Sequence, residues 1–122
     1  MINSTCRVVF ASTLPDTDLD LMPLDPQQVL DGEPQVRHLP LVEDEAITAG
    51  VWQHSTGTSR DVEADEMFIV LSGRATIAVE GGPTLQVGPG DVGLLVAGAR
   101  TVWTVHEPLR KVYIIRHPSQ VL

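Results

Sequence analysis

The chain has 122 residues, 43% of them hydrophobic, with nine prolines and ten glycines. That is one domain by size, turn-rich and globular rather than disordered, able to bury about two-thirds of its unfolded surface. Eight Lys and Arg against sixteen Asp and Glu give a formal charge of -8, a field that repels nucleic acid and anionic membrane and excludes both as expected partners.

Cys6 is the single cysteine, which rules out an internal disulfide and a cysteine-only metal site and fits a reducing compartment. Residues 1–14 lack the apolar core of a signal peptide, and no run approaches the roughly 18 apolar residues of a membrane-spanning helix. A soluble cytoplasmic protein is expected.

Residues 1–35 differ from the rest. Pro15, Pro23, Pro26 and Pro34 alternate with Asp16, Asp18, Asp20, Asp25 and Asp31, and proline at that density does not sit inside a sheet or helix. The segment reads as an extended arm whose Leu14, Leu19, Leu21, Met22 and Leu24 hold it against the barrel or a partner subunit. One helical turn is expected from Pro26, capped by Asp25 and ended by Gly32.

Residues 36–122 read as a barrel. Residues 36–41 and 47–53 have strand composition and are joined by the acidic turn Glu43-Asp44-Glu45. Residues 54–65 are polar and read as a loop or irregular edge strand. Residues 66–71 form the most hydrophobic strand, headed by Glu66 and stopped by Ser72-Gly73. Gly88-Pro89-Gly90-Asp91 has the composition of a type II turn. Residues 101–105 and 111–116 supply two more strands, with Glu107-Pro108 breaking the chain between them. Eight or nine strands and no helix of three turns give an all-β, antiparallel, closed or double-sheet architecture.

Residues 67–71 are apolar without alternation, so both faces of that strand are expected to be covered. With Glu66, Phe68 and Val70 pointing inward, Met67, Ile69 and Leu71 point outward and call for the arm, a second subunit or both. A homodimer is therefore expected.

The order of these elements resembles the cupin superfamily. Glu66 and Gly73 have the spacing that ends its first motif, and Gly90-Asp91 with Ala97-Gly98 match its second. Gly32, Pro34, Gly50-Val51-Trp52, Gly57, Trp103 and Arg110-Lys111-Val112-Tyr113 are similar to a subgroup of small, single-domain cupins related to the ureidoglycine aminohydrolase and ethanolamine-utilisation cupins. The resemblance implies a double-stranded β-helix, or jelly-roll barrel, to which the N-terminal arm read from residues 1–35 is added. It also implies a metal held by three histidines and one glutamate, but here the histidine positions fall on Ser59 and Asp61, or Arg60 and Val62, and on Thr101. A Thr hydroxyl is a poor transition-metal ligand beside imidazole, so the usual site is not expected and no cofactor is assigned. A divalent transition metal would need the alternative set His54, Asp61 and Glu66.

Glu66 is the leading catalytic candidate, because a carboxylate heading an apolar strand is costly to bury unless paired. Lys111, if it points inward, pairs with Glu66 or binds an anionic substrate; if outward, it is a surface lysine. Trp52, His54, Phe68, Thr101, Trp103 and Tyr113 are the expected pocket residues, whereas His38, His106 and His117 read as surface histidines. Three functions follow: a barrel binding a small polar or anionic metabolite; an isomerase, hydrolase or decarboxylase acting on a small carboxylate or ureido compound through Glu66; or an accessory protein with a solid barrel.

Overall fold

The computed structural model of the protein describes residues 5–118. Among them are nine strands and two single 3-10 turns, the turns at Asp16–Asp18 and Pro26–Gln28. The strands are β1 (Asp20–Met22), β2 (Val29–Asp31), β3 (Val36–Glu43), β4 (Ile47–His54), β5 (Gly57–Val62), β6 (Asp65–Val79), β7 (Thr84–Val87), β8 (Val92–Leu95) and β9 (Arg100–Arg116). The protein is all-β, and every pairing is antiparallel.

Two long strands form the spine. β6 and β9 pair from Asp65↔Arg116 to Val79↔Thr101. The far edge of β9 carries β4 along residues 109–116 and β5 along residues 100–105. The far edge of β6 carries β8 and then β7. Because each spine strand serves different neighbours along its two halves, the sheet folds over and encloses its inner face.

The bend explains two differences from the sequence reading. Neither Ser72-Gly73 nor Glu107-Pro108 ends a strand; both lie at a corner where the β6–β9 register shifts between Val70 and Ala75. Gly73 adopts φ +86°, and a Cβ there would run into the Pro108 carbonyl oxygen, so the two backbones can touch only because this residue is glycine. Proline is tolerated opposite because the ladder is already interrupted.

A third difference concerns residues 54–65. Half of this stretch is β5, an interior strand between β9 and β2. Its polar residues serve both faces: Ser59 and Asp61 line a cavity, while Arg60 and Val62 are exposed.

β6 does alternate in burial despite its apolar run. Phe68 and Val70 are each 1% exposed, while Met67 and Ile69 are each 43% exposed. The inward residues join Ala75, Ile77, Leu95, Trp103, Val105, Leu109 and Tyr113 in the core. On the outer face Met67 and Ile69 neighbour Leu94 and Val92 of β8, also exposed, across the ladder.

The arm is more regular than its prolines suggest. β1 adds to β3 and β2 adds to β5, so both short strands extend the sheet as edges, the position where proline-bounded segments can pair. Asp25 and Gln28 cap the Pro26–Gln28 turn reciprocally, but the chain then enters β2, so Gly32 follows a strand rather than a helical turn. Leu19 is fully buried. Arg110 fixes the preceding residues: its guanidinium donates to the carbonyls of Ala11 (3.0 Å) and Leu14 (2.7 Å) and to Asp16 Oδ1 (3.1 Å), while Nε donates to Gln53 Oε1 (2.8 Å).

Candidate functional site

Inside the barrel, β3, β4, β5, β6 and β9 surround a cavity of about 450 Å³, bounded on the arm side by Met22, Pro23, Leu24 and Gln28. Strand alternation sets its walls. Trp52 and His54 come from β4, Ser59 and Asp61 from β5, Glu66 from β6, and Trp103, Lys111 and Tyr113 from β9.

Lys111 Nζ donates to Glu66 Oε2 at 2.7 Å, with the side chains 5% and 8% exposed. The same ammonium lies 4.3 Å from the Trp52 ring centroid and 4.7 Å from those of Phe68 and Trp103. Three π faces and one carboxylate therefore replace the water a lysine loses on burial. Phe68 can stand behind the ammonium because its ring lies against Gly93, where any Cβ would collide with it.

Beside this pair is a second buried carboxylate. Glu63 Oε2 accepts from Thr101 Oγ1 at 2.6 Å and from Trp103 Nε1 at 2.9 Å. Burial pushes the Glu66 carboxyl above its ordinary value, opposed by Lys111 and reinforced by Glu63 and Asp61. Asp61 is likewise pushed up, by burial and then by Glu63. Raised values of this kind favour the protonated, proton-donating form of a carboxyl group.

His54 is held on both sides. Nδ1–H donates to the Ser55 carbonyl at 2.6 Å, and Nε2 accepts from Ser59 Oγ at 2.8 Å. Burial, with a smaller contribution from Lys111, holds its pKa below the ordinary histidine range, which keeps the ring neutral.

These contacts decide whether a three-histidine, one-glutamate metal centre fits. At the corresponding positions, Ser59 is spent on His54, Thr101 on Glu63, and Glu66 on Lys111. The residues present do not fit that centre. The alternative set His54, Asp61 and Glu66 is not gathered for a metal either: both nitrogens of His54 are engaged, and no three His, Cys, Asp or Glu converge among the described residues in a way that would hold one. The positive charge beside Glu66 belongs instead to Lys111.

Most of the expected pocket residues meet in this space, with two exceptions. Phe68 packs in the core behind Lys111, and Thr101 turns its hydroxyl to Glu63 rather than lining the cavity. Of the three histidines read as surface residues, His38 lines the cavity, while His106 and His117 bond to Thr76 and Thr48. Glu63 is the residue the sequence reading missed. Reading residues 57–63 as a strand would have found it, since Ser59, Asp61 and Glu63 then share one face.

A family model described as the EutQ-like cupin domain matches residues 41–113. A protein of unknown function from Pseudomonas syringae pv. tomato str. DC3000, of the DUF861 family, superposes with a TM-score of 0.71 at 29% identity, covering 80% of this chain and 43% of that one. A putative ethanolamine utilization protein Q from Salmonella typhimurium LT2 gives a TM-score of 0.62 at 22% identity, covering 70% and 72%. The DMSP lyase DddQ from Ruegeria pomeroyi DSS-3 gives 0.59 at 18% identity, covering 71% and 49%. The last two likenesses concern the fold alone. No curated protein sequence matches the chain. The match over residues 41–113 spans more than half of the 122 residues, and the chain belongs to the EutQ-like cupin family.

Proposed function

We propose that the barrel binds a small polar metabolite through the Lys111–Glu66 pair, with the lysine ammonium serving as the cation of the site in place of a transition metal. The observation that carries this reading is the caged ammonium opening on a 450 Å³ cavity. Among the described residues Glu66 is the one hydrogen-bond acceptor of Lys111 Nζ, so two of its three protons face only aromatic rings and remain available to a ligand oxygen. The cavity also carries Glu43, Asp61, Glu63 and Glu66 against Arg60 and Lys111. That balance favours a neutral ligand with a carbonyl oxygen and N–H or O–H donors, such as a ureido or amide compound, over a purely anionic one.

A second reading is an enzyme acting on such a compound as an isomerase, hydrolase or decarboxylase. The raised Glu66 carboxyl favours it, acting as general acid or base with Lys111 holding the substrate carbonyl. Glu66→Gln would then abolish turnover. Homodimerisation through the outer face of β6 and β8, and a cytoplasmic location, belong to the same proposal; no described helix is long and apolar enough to cross a membrane.

The test is a thermal-shift panel of ureido, amide, hydroxy and carboxylate metabolites on protein treated with chelator. A ureido or amide compound is expected to raise Tm in the wild type and not in Lys111→Met. No shift from any member, or equal shifts in the variant, would contradict the proposal.

A further inference from the structure

The chain has eight Lys and Arg, and six of their charged groups have protein partners. Arg7 bonds to the Leu41 carbonyl, Arg37 to the Leu19 carbonyl, and Arg110 to the arm. Arg74 pairs with Glu107, Lys111 with Glu66, and Arg116 with Asp65. Among the described residues, the guanidinium groups of Arg60 and Arg100 alone make no such contact, and both line one groove of about 740 Å³ on the outside of the barrel.

Their positions follow from the β5–β9 register. Arg60 lies opposite Val102 and Arg100 opposite Val62, so the two arginines are diagonal neighbours on one face, a relation that separates residues by about 7–8 Å, with Cβ atoms somewhat closer. Two guanidinium forks at that spacing can close on one carboxylate. The groove also has an apolar wall, in which Leu30 and Val62 are 48% and 56% exposed. Gln28, Arg60 and Asp61 line both the groove and the inner cavity, so the two spaces adjoin.

We propose that this groove is an outer subsite that takes the carboxylate of an organic acid with an apolar body, held by Arg60 and Arg100. As part of the cavity's ligand site it rests on the function proposed above; as an anion site it stands by itself. In a chain of charge -8 an unpaired arginine pair is where a carboxylate meets the least repulsion. Glu80 and Asp61 also line the groove. Glu80 neighbours Arg100 across the ladder, its N–H donating to the Arg100 carbonyl, yet it forms no ion pair with it. Glu80 therefore opposes anion binding without occupying the site.

The experiment is an NMR titration of the full chain with hexanoate, using hexanol and inorganic phosphate as controls. It reads the arginine Nε–H signals and, for the cavity, the Trp103 indole N–H. Hexanoate is expected to shift Arg60 and Arg100 saturably, hexanol not at all, and phosphate more weakly. Affinity is expected to fall about tenfold in Arg60→Gln and in Arg100→Gln, the loss of one charge-assisted contact, and to rise in Glu80→Gln. Uniform shifts across all arginines, equal binding of hexanol, or unchanged affinity in the double arginine variant would overturn the proposal. A Trp103 response without an arginine response would overturn the outer subsite while leaving the cavity reading intact.

Discussion

Lys111 Nζ and Glu66 Oε2 are 2.7 Å apart, on adjacent strands, with both side chains more than nine-tenths buried. Removing one partner of such a pair leaves an uncompensated charge, at a cost of about 3–5 kcal/mol. Lys111→Met is therefore expected to lower stability at pH 7 by about 3 kcal/mol. The loss should be smaller at pH 5, because the Glu66 carboxyl, already raised, can take up a proton. The double variant Lys111→Met, Glu66→Gln should recover part of the loss. Urea denaturation of the four proteins closes the cycle, and additive effects would show that the pair is not coupled.

The pH dependence carries two opposing contributions. His54 has a folded pKa below its ordinary 6.5, so its contribution is intact above 6.5 and is lost as pH falls through the folded value, where the unfolded chain takes up a proton that the folded one refuses. Asp61 and Glu66 have raised values. Their contribution is fullest below the ordinary carboxyl values of 3.8 and 4.5 and is lost as pH rises through the folded values. Stability measured from pH 7.5 to 5.5 should fall less steeply in His54→Gln than in the wild type. An unchanged slope in His54→Gln would mean that the ring is not held neutral.

Arg110 ties the arm to the barrel through the carbonyls of Ala11 and Leu14 and through Asp16. Arg110→Ala is expected to cost about 2–4 kcal/mol, since hydrogen bonds to a charged group contribute about 1.5–3 kcal/mol each and do not add. Limited proteolysis should then cut within residues 11–24 while residues 36–116 stay intact. Equal protection of the arm in the variant would contradict the role of Arg110.

The corner at Gly73 offers a contrast between two glycines of positive φ. Gly73→Ala meets the Pro108 backbone, whereas Gly81→Ala meets nothing within 4 Å. The first is expected to cost more than about 2 kcal/mol and the second about 1 kcal/mol, the conformational part alone. Thermal melts of the two variants decide this.

For the proposed homodimer, sedimentation should give twice the chain mass for the wild type and the chain mass for the variant carrying Met67→Glu and Ile69→Glu. These two side chains are each 43% exposed in the single chain. A wild type that sediments as a monomer at all concentrations would refute the dimer.

The strand at residues 66–71, the Gly88-Pro89-Gly90-Asp91 turn and the inward set Glu66, Phe68 and Val70 were legible because burial alternation and turn chemistry are local. The turn indeed has Gly90 at φ +87° and an Asp91 N–H to Gly88 carbonyl bond of 3.0 Å. The continuity of β6 and β9 was not legible, because Ser72-Gly73 and Glu107-Pro108 carry the signals of a chain break and only their contact across the sheet makes them a corner. Glu63 was hidden for a related reason. A strand that lines a polar cavity has the composition of a loop, and the partners that justify burying its carboxylate, Thr101 and Trp103, lie 38 and 40 residues away.

Lys111, the proposed cation of the cavity, is the only lysine in the chain. Labelling with ¹⁵N-lysine therefore yields a single Nζ resonance, which can be followed in chelator-treated protein as a ureido or amide ligand is added. A protonated Nζ signal protected from solvent exchange, and shifted saturably by the ligand, is the expected result. An Nζ signal that exchanges as freely as a surface lysine and ignores every ligand, in protein that instead retains a stoichiometric metal after dialysis, would contradict it.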